Sequence, residues 1–174
     1  AEGVLSVVAA GNSNADACDY SPASTPLAVT VGSTTNSDAK SGFSNHGTCV
    51  DIHAPGSGIT AAWVGSDSDT TTISGTSMAC PHVAGVAAQI RALRPNFGPG
   101  QVTTSLLCFA TPDALSGLPS DTVNGLLFND LDDAALTECL QASSPAPPTP
   151  PSHWLKLDDV RPGVALDLTA CGFD

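Results

Sequence analysis

Eleven consecutive residues concentrate the chemistry of this chain: Gly75-Thr76-Ser77-Met78-Ala79-Cys80-Pro81-His82-Val83-Ala84-Gly85. A glycine permits a sharp turn, a serine follows at the first turn of a helix, and the small residues after it let that helix pack closely on a sheet. A hydroxyl placed there is exposed, and the free N–H groups and positive dipole end of the helix favour any oxyanion forming beside it. That arrangement suits the nucleophile of an acyl transfer. For Gly-Thr-Ser alone, a serine capping an ordinary helix competes with this reading; the full string favours the nucleophile. Acyl transfer also needs a base oriented by a third group. By residue type Ser77, His82 and Asp51 suggest a local triad, but His82 sits five residues past Ser77 on the same helix, so its ring is rotated well away from the hydroxyl. His46, His53 and His153 have no convincing partner and read as surface or packing residues.

Elements must hold these residues in place. From Ser77 to Leu93 apolar residues recur at helical spacing, and Arg91, Arg94, Pro95 and Gly98 end the pattern. A second helix is expected over Gln101–Phe109. Val4 to Ala10 is a continuous apolar stretch of the kind that fills a buried parallel strand, while Ala28–Gly32 and Cys49–Ile52 are short β-branched runs suited to two more. Ala61–Val64 and Ile73 flank a Ser/Asp/Thr turn. Gly11 to Pro26 and Thr34 to Gly47 read as polar loops, the first long enough to be functional. Alternating strand and helix signals predict an α/β fold with a mainly parallel sheet. Strand Val4–Ala10 needs neighbours on both edges and helices on both faces, so an upstream part of the same domain is expected to be missing. Residues 1–141 are assigned to the domain, 142–152 to an extended Pro-rich linker, and 153–174 to a tail or the start of an absent module.

Composition narrows the function. The chain has 174 residues with Lys+Arg 5 against Asp+Glu 17, a net charge of −12, and only 13% charged residues. An acidic chain of pI near 4.2 is repelled from nucleic acid and from anionic membranes, and no apolar run approaches the roughly 20 residues of a membrane span. With 41% hydrophobic residues it can bury a core. Six cysteines without a Cys-x-x-Cys pair point to an oxidising, extracellular compartment. They fall at 18, 49, 80, 108, 139 and 171, in steps of 31, 31, 28, 31 and 32, but their flanks do not match and no repeat is inferred.

The string around Ser77 resembles the nucleophile motif of subtilisin-like serine peptidases. The stretch from Gly3 to Asn129 is similar to the C-terminal half of the proteinase K group, most of all its bacterial aqualysin-like branch. Val8-Ala9-Ala10-Gly11-Asn12-Ser13-Asn14-Ala15-Asp16-Ala17-Cys18 and Tyr20-Ser21-Pro22-Ala23 form a second anchor. Phe43-Ser44-Asn45-His46-Gly47 with Val50-Asp51-Ile52-His53-Ala54-Pro55-Gly56 form a third. The resemblance implies a three-layer α/β/α subtilisin-like fold and hydrolysis of polypeptide substrates through an acyl-enzyme. It makes Ser77 the nucleophile and Asn12 the side-chain donor of the oxyanion hole, with Ala9, Ala10, Gly11 and Tyr20 around the specificity pocket; for Asn12, a plain turn residue after Gly11 is the alternative. It places the catalytic Asp and His upstream of this chain, so the chain alone is expected to be inactive, and it makes His82 structural. It implies a calcium ion held by the carbonyls of Pro26 and Ala28 and the carboxylate of Asp51; Asp51 could instead be a strand-end residue bonding to loops. It pairs Cys18 with Cys49, and it implies no organic cofactor. Cys80 stands where the family usually has Ser or Thr and reads as buried filler rather than a second nucleophile. Cys108, Cys139 and Cys171 receive no partners from it. A non-catalytic relative serving as a binding or structural module is the alternative function.

Overall fold

The computed structural model describes residues 3–129, 134 and 136–139. The expected linker 142–152, the tail 153–174, His153 and Cys171 lie outside the described residues. Strands β1 (Ser6–Ala9), β2 (Ala28–Thr34) and β3 (Ile52–Pro55) run parallel, with Val7 opposite Val29 and Val31 opposite Ile52. After β3 comes a separate antiparallel hairpin, β4 (Ile59–Ala62) and β5 (Thr70–Ile73). Helices α1 (Thr76–Leu93) and α2 (Pro99–Phe109) follow, and then two-residue strands β6 (Thr111–Pro112) and β7 (Gly125–Leu126). The five-stranded sheet has the order β1-β2-β3-β7-β6, parallel but for the β6–β7 pair.

The third strand begins later than its β-branched run suggests. Cys49 is tied into a disulfide and the Asp51 side chain accepts the Thr30 N–H, so ladder pairing starts at Ile52. β6 and β7 have no counterpart in the sequence reading, because two-residue strands carry no periodicity to detect.

Helix α1 lies across the sheet because Ala79, Val83, Val86, Ala87 and Ile90 recur on one face. They meet Val29, Val31, Ile52 and Ala54 in the main core, to which α2 adds Val102 and Leu106. Pro99 at the first position of α2 and the Gln101 side chain, which accepts the Gly98 N–H, start that helix. Residues 136–139 are also helical, and Leu136 is buried in the same core. The opposite face of the sheet is covered by loops: Thr30 donates its hydroxyl to Ala23 O, and Ala10, Ala17, Ala23 and Val50 form a second, smaller core. On that side the fully buried His53 ring lies on Gly32, where a Cβ would sit 2.4 Å from its Cδ2. Burial lowers the His53 pKa to about 4; the Lys40 charge adds to this and the Gly125 backbone offsets it only in part. The ring is therefore neutral. Neither nitrogen makes a well-formed hydrogen bond, so His53 is a packing residue, as the sequence suggested.

Two disulfides brace the unit. Cys18 joins Cys49, as the resemblance implied, and Cys108 at the end of α2 joins Cys139. Cys80 is free and half-buried, its thiol donating to Val7 O at 3.4 Å, and burial pushes its pKa up. Such a thiol is not activated. No helix among the described residues is long and apolar enough to cross a membrane.

Candidate active site

Ser77 is the second residue of α1 and is exposed, while Thr76 before it is fully buried. Thr76 reaches back to the loop after β1. Its backbone N–H and its hydroxyl both donate to Asn12 Oδ1 at 2.9 Å, and its hydroxyl oxygen accepts the Gly11 N–H at 3.2 Å. These two donations fix which end of the Asn12 amide is oxygen, leaving the Nδ2 donor pointing elsewhere. A Cβ at Gly75 would stand 3.5 Å from Asn12 Nδ2 and 3.7 Å from the Ser77 nitrogen. Both donors thus border one small space at the N-terminus of α1, a place suited to negative charge.

The glycine here has a different use from the one expected. Gly75 is extended, with φ 161° and ψ 160°, a conformation open to any residue. What it supplies is the absence of a side chain between two donors. Gly11 is the position that needs glycine for its backbone, at φ +103°.

A base is not near. The Ser77 hydroxyl makes no hydrogen bond among the described residues. His82 is exposed, and its Nδ1 bonds to Met78 O, one turn back on its own helix, at 2.8 Å. Asp51 receives the Thr30 N–H through Oδ2 at 2.7 Å on β2. The structure does not bring Ser77, His82 and Asp51 together, in agreement with the sequence geometry.

Comparison with known proteins decides the family. The model of the subtilase family, peptidase family S8, matches residues 1–130. The chain belongs to the subtilase family. It is 47% identical over 138 residues to a subtilisin-like serine protease of Rhodotorula mucilaginosa, covering 73% of this chain and 40% of that protein. To an extracellular serine proteinase of a Thermus species it is 51% identical over 126 residues, covering 72% of the chain and 31% of the relative. Among solved structures, a cold-adapted subtilisin-like serine proteinase superposes with TM-score 0.71 at 52% identity, covering 75% of this chain and 46% of that one. The subtilisin-like α/β fold implied by the motifs is therefore the fold observed. This subtilase chain spans between 31% and 46% of the length of these relatives.

Of the residues expected around the specificity pocket, Ala9, Ala10 and Gly11 lie at the carboxyl end of β1, where open α/β sheets bind ligands. Ala9 ends the strand and is half-buried, whereas the Ala10 side chain is fully buried and its N–H donates to Val31 O. Only the backbone of Ala10 can line a pocket. Tyr20 follows the short 3-10 turn Ala17–Asp19 and is about a third exposed, at 36%.

Pro26, Ala28 and Asp51, the expected cation ligands, share one cavity of about 250 Å³ with Ser24, Thr30 and Cys49. Burial raises the Asp51 pKa, and the Thr30 N–H bond only partly counters this. A hard cation in the cavity would compensate that buried charge, and carbonyl and carboxylate oxygens are the donors calcium prefers. The residues present fit the ion. Among the described residues there is no cluster of three or more His, Cys, Asp or Glu side chains, so any such site depends on backbone oxygens and water.

Proposed function

We propose that this chain is the nucleophile-bearing part of a secreted serine endopeptidase that cleaves polypeptides through an acyl-enzyme. Ser77 Oγ attacks the scissile carbonyl carbon and gives up its proton to a histidine base, which an aspartate orients. Both come from the part of the domain that the relatives possess beyond this chain. The carbonyl oxygen becomes an oxyanion held by Asn12 Nδ2 and the Ser77 N–H. The amine leaves with the proton returned by the base, and water then hydrolyses the ester. Two disulfides support an oxidising compartment, and calcium at Asp51, Pro26 and Ala28 would add native-state stability without taking part in the chemistry.

The observation that carries this reading is the clamp of Thr76 on Asn12 Oδ1, which leaves the amide nitrogen and the Ser77 N–H around one space. A scaffold used only for binding has no need to hold two donors beside an exposed serine. The test is covalent labelling of the full-length protein by a peptidyl phosphonate. Label should map to Ser77 and disappear in Ser77→Ala, and the 174-residue chain alone should show no turnover. A folded protein that hydrolyses peptides unlabelled, or that stays active as Ser77→Ala, would refute the assignment.

A further inference from the structure

The string Phe43-Ser44-Asn45-His46-Gly47 stands outside the catalytic roles assigned above, yet its asparagine is fully buried. Asn45 is wrapped by the loop that carries Asn12. Its Oδ1 accepts the Ser13 N–H at 2.9 Å and the Ala15 N–H at 3.1 Å, and its Nδ2 donates to Ala10 O at 2.9 Å. Its backbone N–H donates to Gly11 O, also at 2.9 Å. These bonds reach residues 10, 11, 13 and 15 and pass over residue 12. A Cβ on Gly11 would lie 2.4 Å from Asn45 Nδ2, so the loop closes on this side chain with no room for a substituent. The neighbours continue the contact: Asn14 N–H donates to Phe43 O and His46 N–H to Ala15 O.

We propose that Asn45 is the positioning residue of the oxyanion hole, fixing the backbone that presents Asn12 while Thr76 fixes the rotation of its amide. The inference rests on the reading of Asn12 as an oxyanion donor. Asn12, Ser13 and Asn14 are all exposed; Asn12 Oδ1 accepts from Thr76 and Asn14 Oδ1 from Lys40 Nζ at 2.9 Å, but these bonds hold side chains, whereas Asn45 ties down the backbone on either side of residue 12. A donor stabilises developing charge only when its distance and direction are set before the reaction, since a loop that must reorganise loses that benefit. Asn45 supplies the setting from a site 30 residues or more away in sequence, by bonds that a water-filled loop could not replace.

The experiment is a double-mutant cycle in the full-length protein, with Asn12→Leu, Asn45→Ser and their combination. Rates are counted per phosphonate-reactive Ser77, so that misfolded molecules drop out. Asn45→Ser should lower kcat by roughly tenfold to a hundredfold with KM little changed. In the Asn12→Leu background the same change should have almost no further effect on kcat, because the donor it positions is gone. Asn45→Asp, which keeps the acceptor for Ser13 and Ala15, is the second variant should Asn45→Ser fail to fold, and it should give a smaller loss in the same cycle. An equal kcat loss in both backgrounds, an effect confined to KM, or a fall only in the amount of reactive Ser77 would make Asn45 merely structural and overturn the inference. If Asn12→Leu itself leaves kcat intact, the oxyanion reading fails first and takes this inference with it.

Discussion

At its N-terminal end α1 begins with Thr76, buried and hydrogen-bonded to the Asn12 loop through both amide and hydroxyl. Along its flanks Ala84, Gly85, Ala88 and Gln89 are exposed beside two apolar clefts. One cleft, of about 320 Å³, is shared with Val4, Leu5 and Val7 at the outer edge of β1; the other, of about 440 Å³, lies toward Pro55 and Leu127. Val4 is 75% exposed. The first region is closed by polar bonds between residues far apart in this chain, and the second is open among the described residues. On the proposed reading, that contrast divides the catalytic machinery. In that proposal this chain carries the oxyanion donors, and the base is brought to Ser77 by the rest of the domain.

The sharpest way to break this division is at the closed end. In the full-length protein, Asn12→Leu leaves the Ser77 hydroxyl in place and removes one donor to an oxygen that is charged only in the transition state. Turnover should fall by roughly 10²–10³, about 2.7–4 kcal/mol, while KM changes little, and phosphonate labelling of Ser77 should persist at a slower rate. That magnitude is borrowed from a related subtilisin, in which the oxyanion-hole asparagine was replaced. Equal losses in KM and turnover, or near-normal turnover, would reduce Asn12 to a turn residue.

Next come the disulfides, which share a sequence separation of 31 but sit in different regions. Constraint of the unfolded chain alone would make each worth up to about 3.7 kcal/mol. Replacing Cys18 and Cys49 by Ser, or Cys108 and Cys139 by Ser, should therefore lower the denaturation midpoint by similar amounts. Only the first pair adjoins the oxyanion loop, through the turn Ala17–Asp19 and the Asp16 carboxylate that accepts the Cys18 N–H. Turnover measured on the folded fraction should fall for that pair alone. A loss of turnover with the Cys108–Cys139 pair would show that the two regions are mechanically coupled.

How much of this was legible beforehand follows from the range of each interaction. The helix at Ser77 shows in its own spacing, and the roles proposed for Ser77 and Asn12 come with short motifs. The Thr76 clamp joins residues 64 positions apart, and Asn45 bonds to residues 30 to 35 positions away. Nothing local marks either, since Thr and Asn at such sites look like ordinary turn residues. The Cys108–Cys139 pair is similar: six cysteines allow 15 connectivities, and spacing alone does not choose among them. Gly75 was legible as important for a sharp turn, whereas it is extended and borders the space between two donors.

Calcium, if bound as proposed at Asp51, should give a smaller effect. Asp51 is half-buried, and among the described residues its carboxylate has one hydrogen bond, from Thr30. A cation bound only by the native state stabilises it by about 2.7 kcal/mol when free at a hundred times its dissociation constant. Chelation should lower the midpoint of thermal inactivation of the full-length protein, and Asp51→Asn should remove most of that dependence. An unchanged midpoint on chelation would leave Asp51 as a strand-end residue.

The smallest expected effect probes the open flank directly. Gly85 lies in the interior of α1, and a Cβ built there meets nothing within 4 Å. In a helix interior, Gly→Ala stabilises by roughly 0.5–1 kcal/mol, because glycine has more backbone freedom to lose. Gly85→Ala should therefore raise the urea midpoint and helix content of the 174-residue chain. The full-length protein should respond with the opposite sign. If the rest of the domain packs on this flank, an extra methyl enters a close-packed surface, where overpacking costs roughly 1–3 kcal/mol. Opposite signs in the two proteins would place the rest of the domain against Gly85 and the cleft toward Pro55 and Leu127. Stabilisation in both would mean that this flank stays open in the complete molecule.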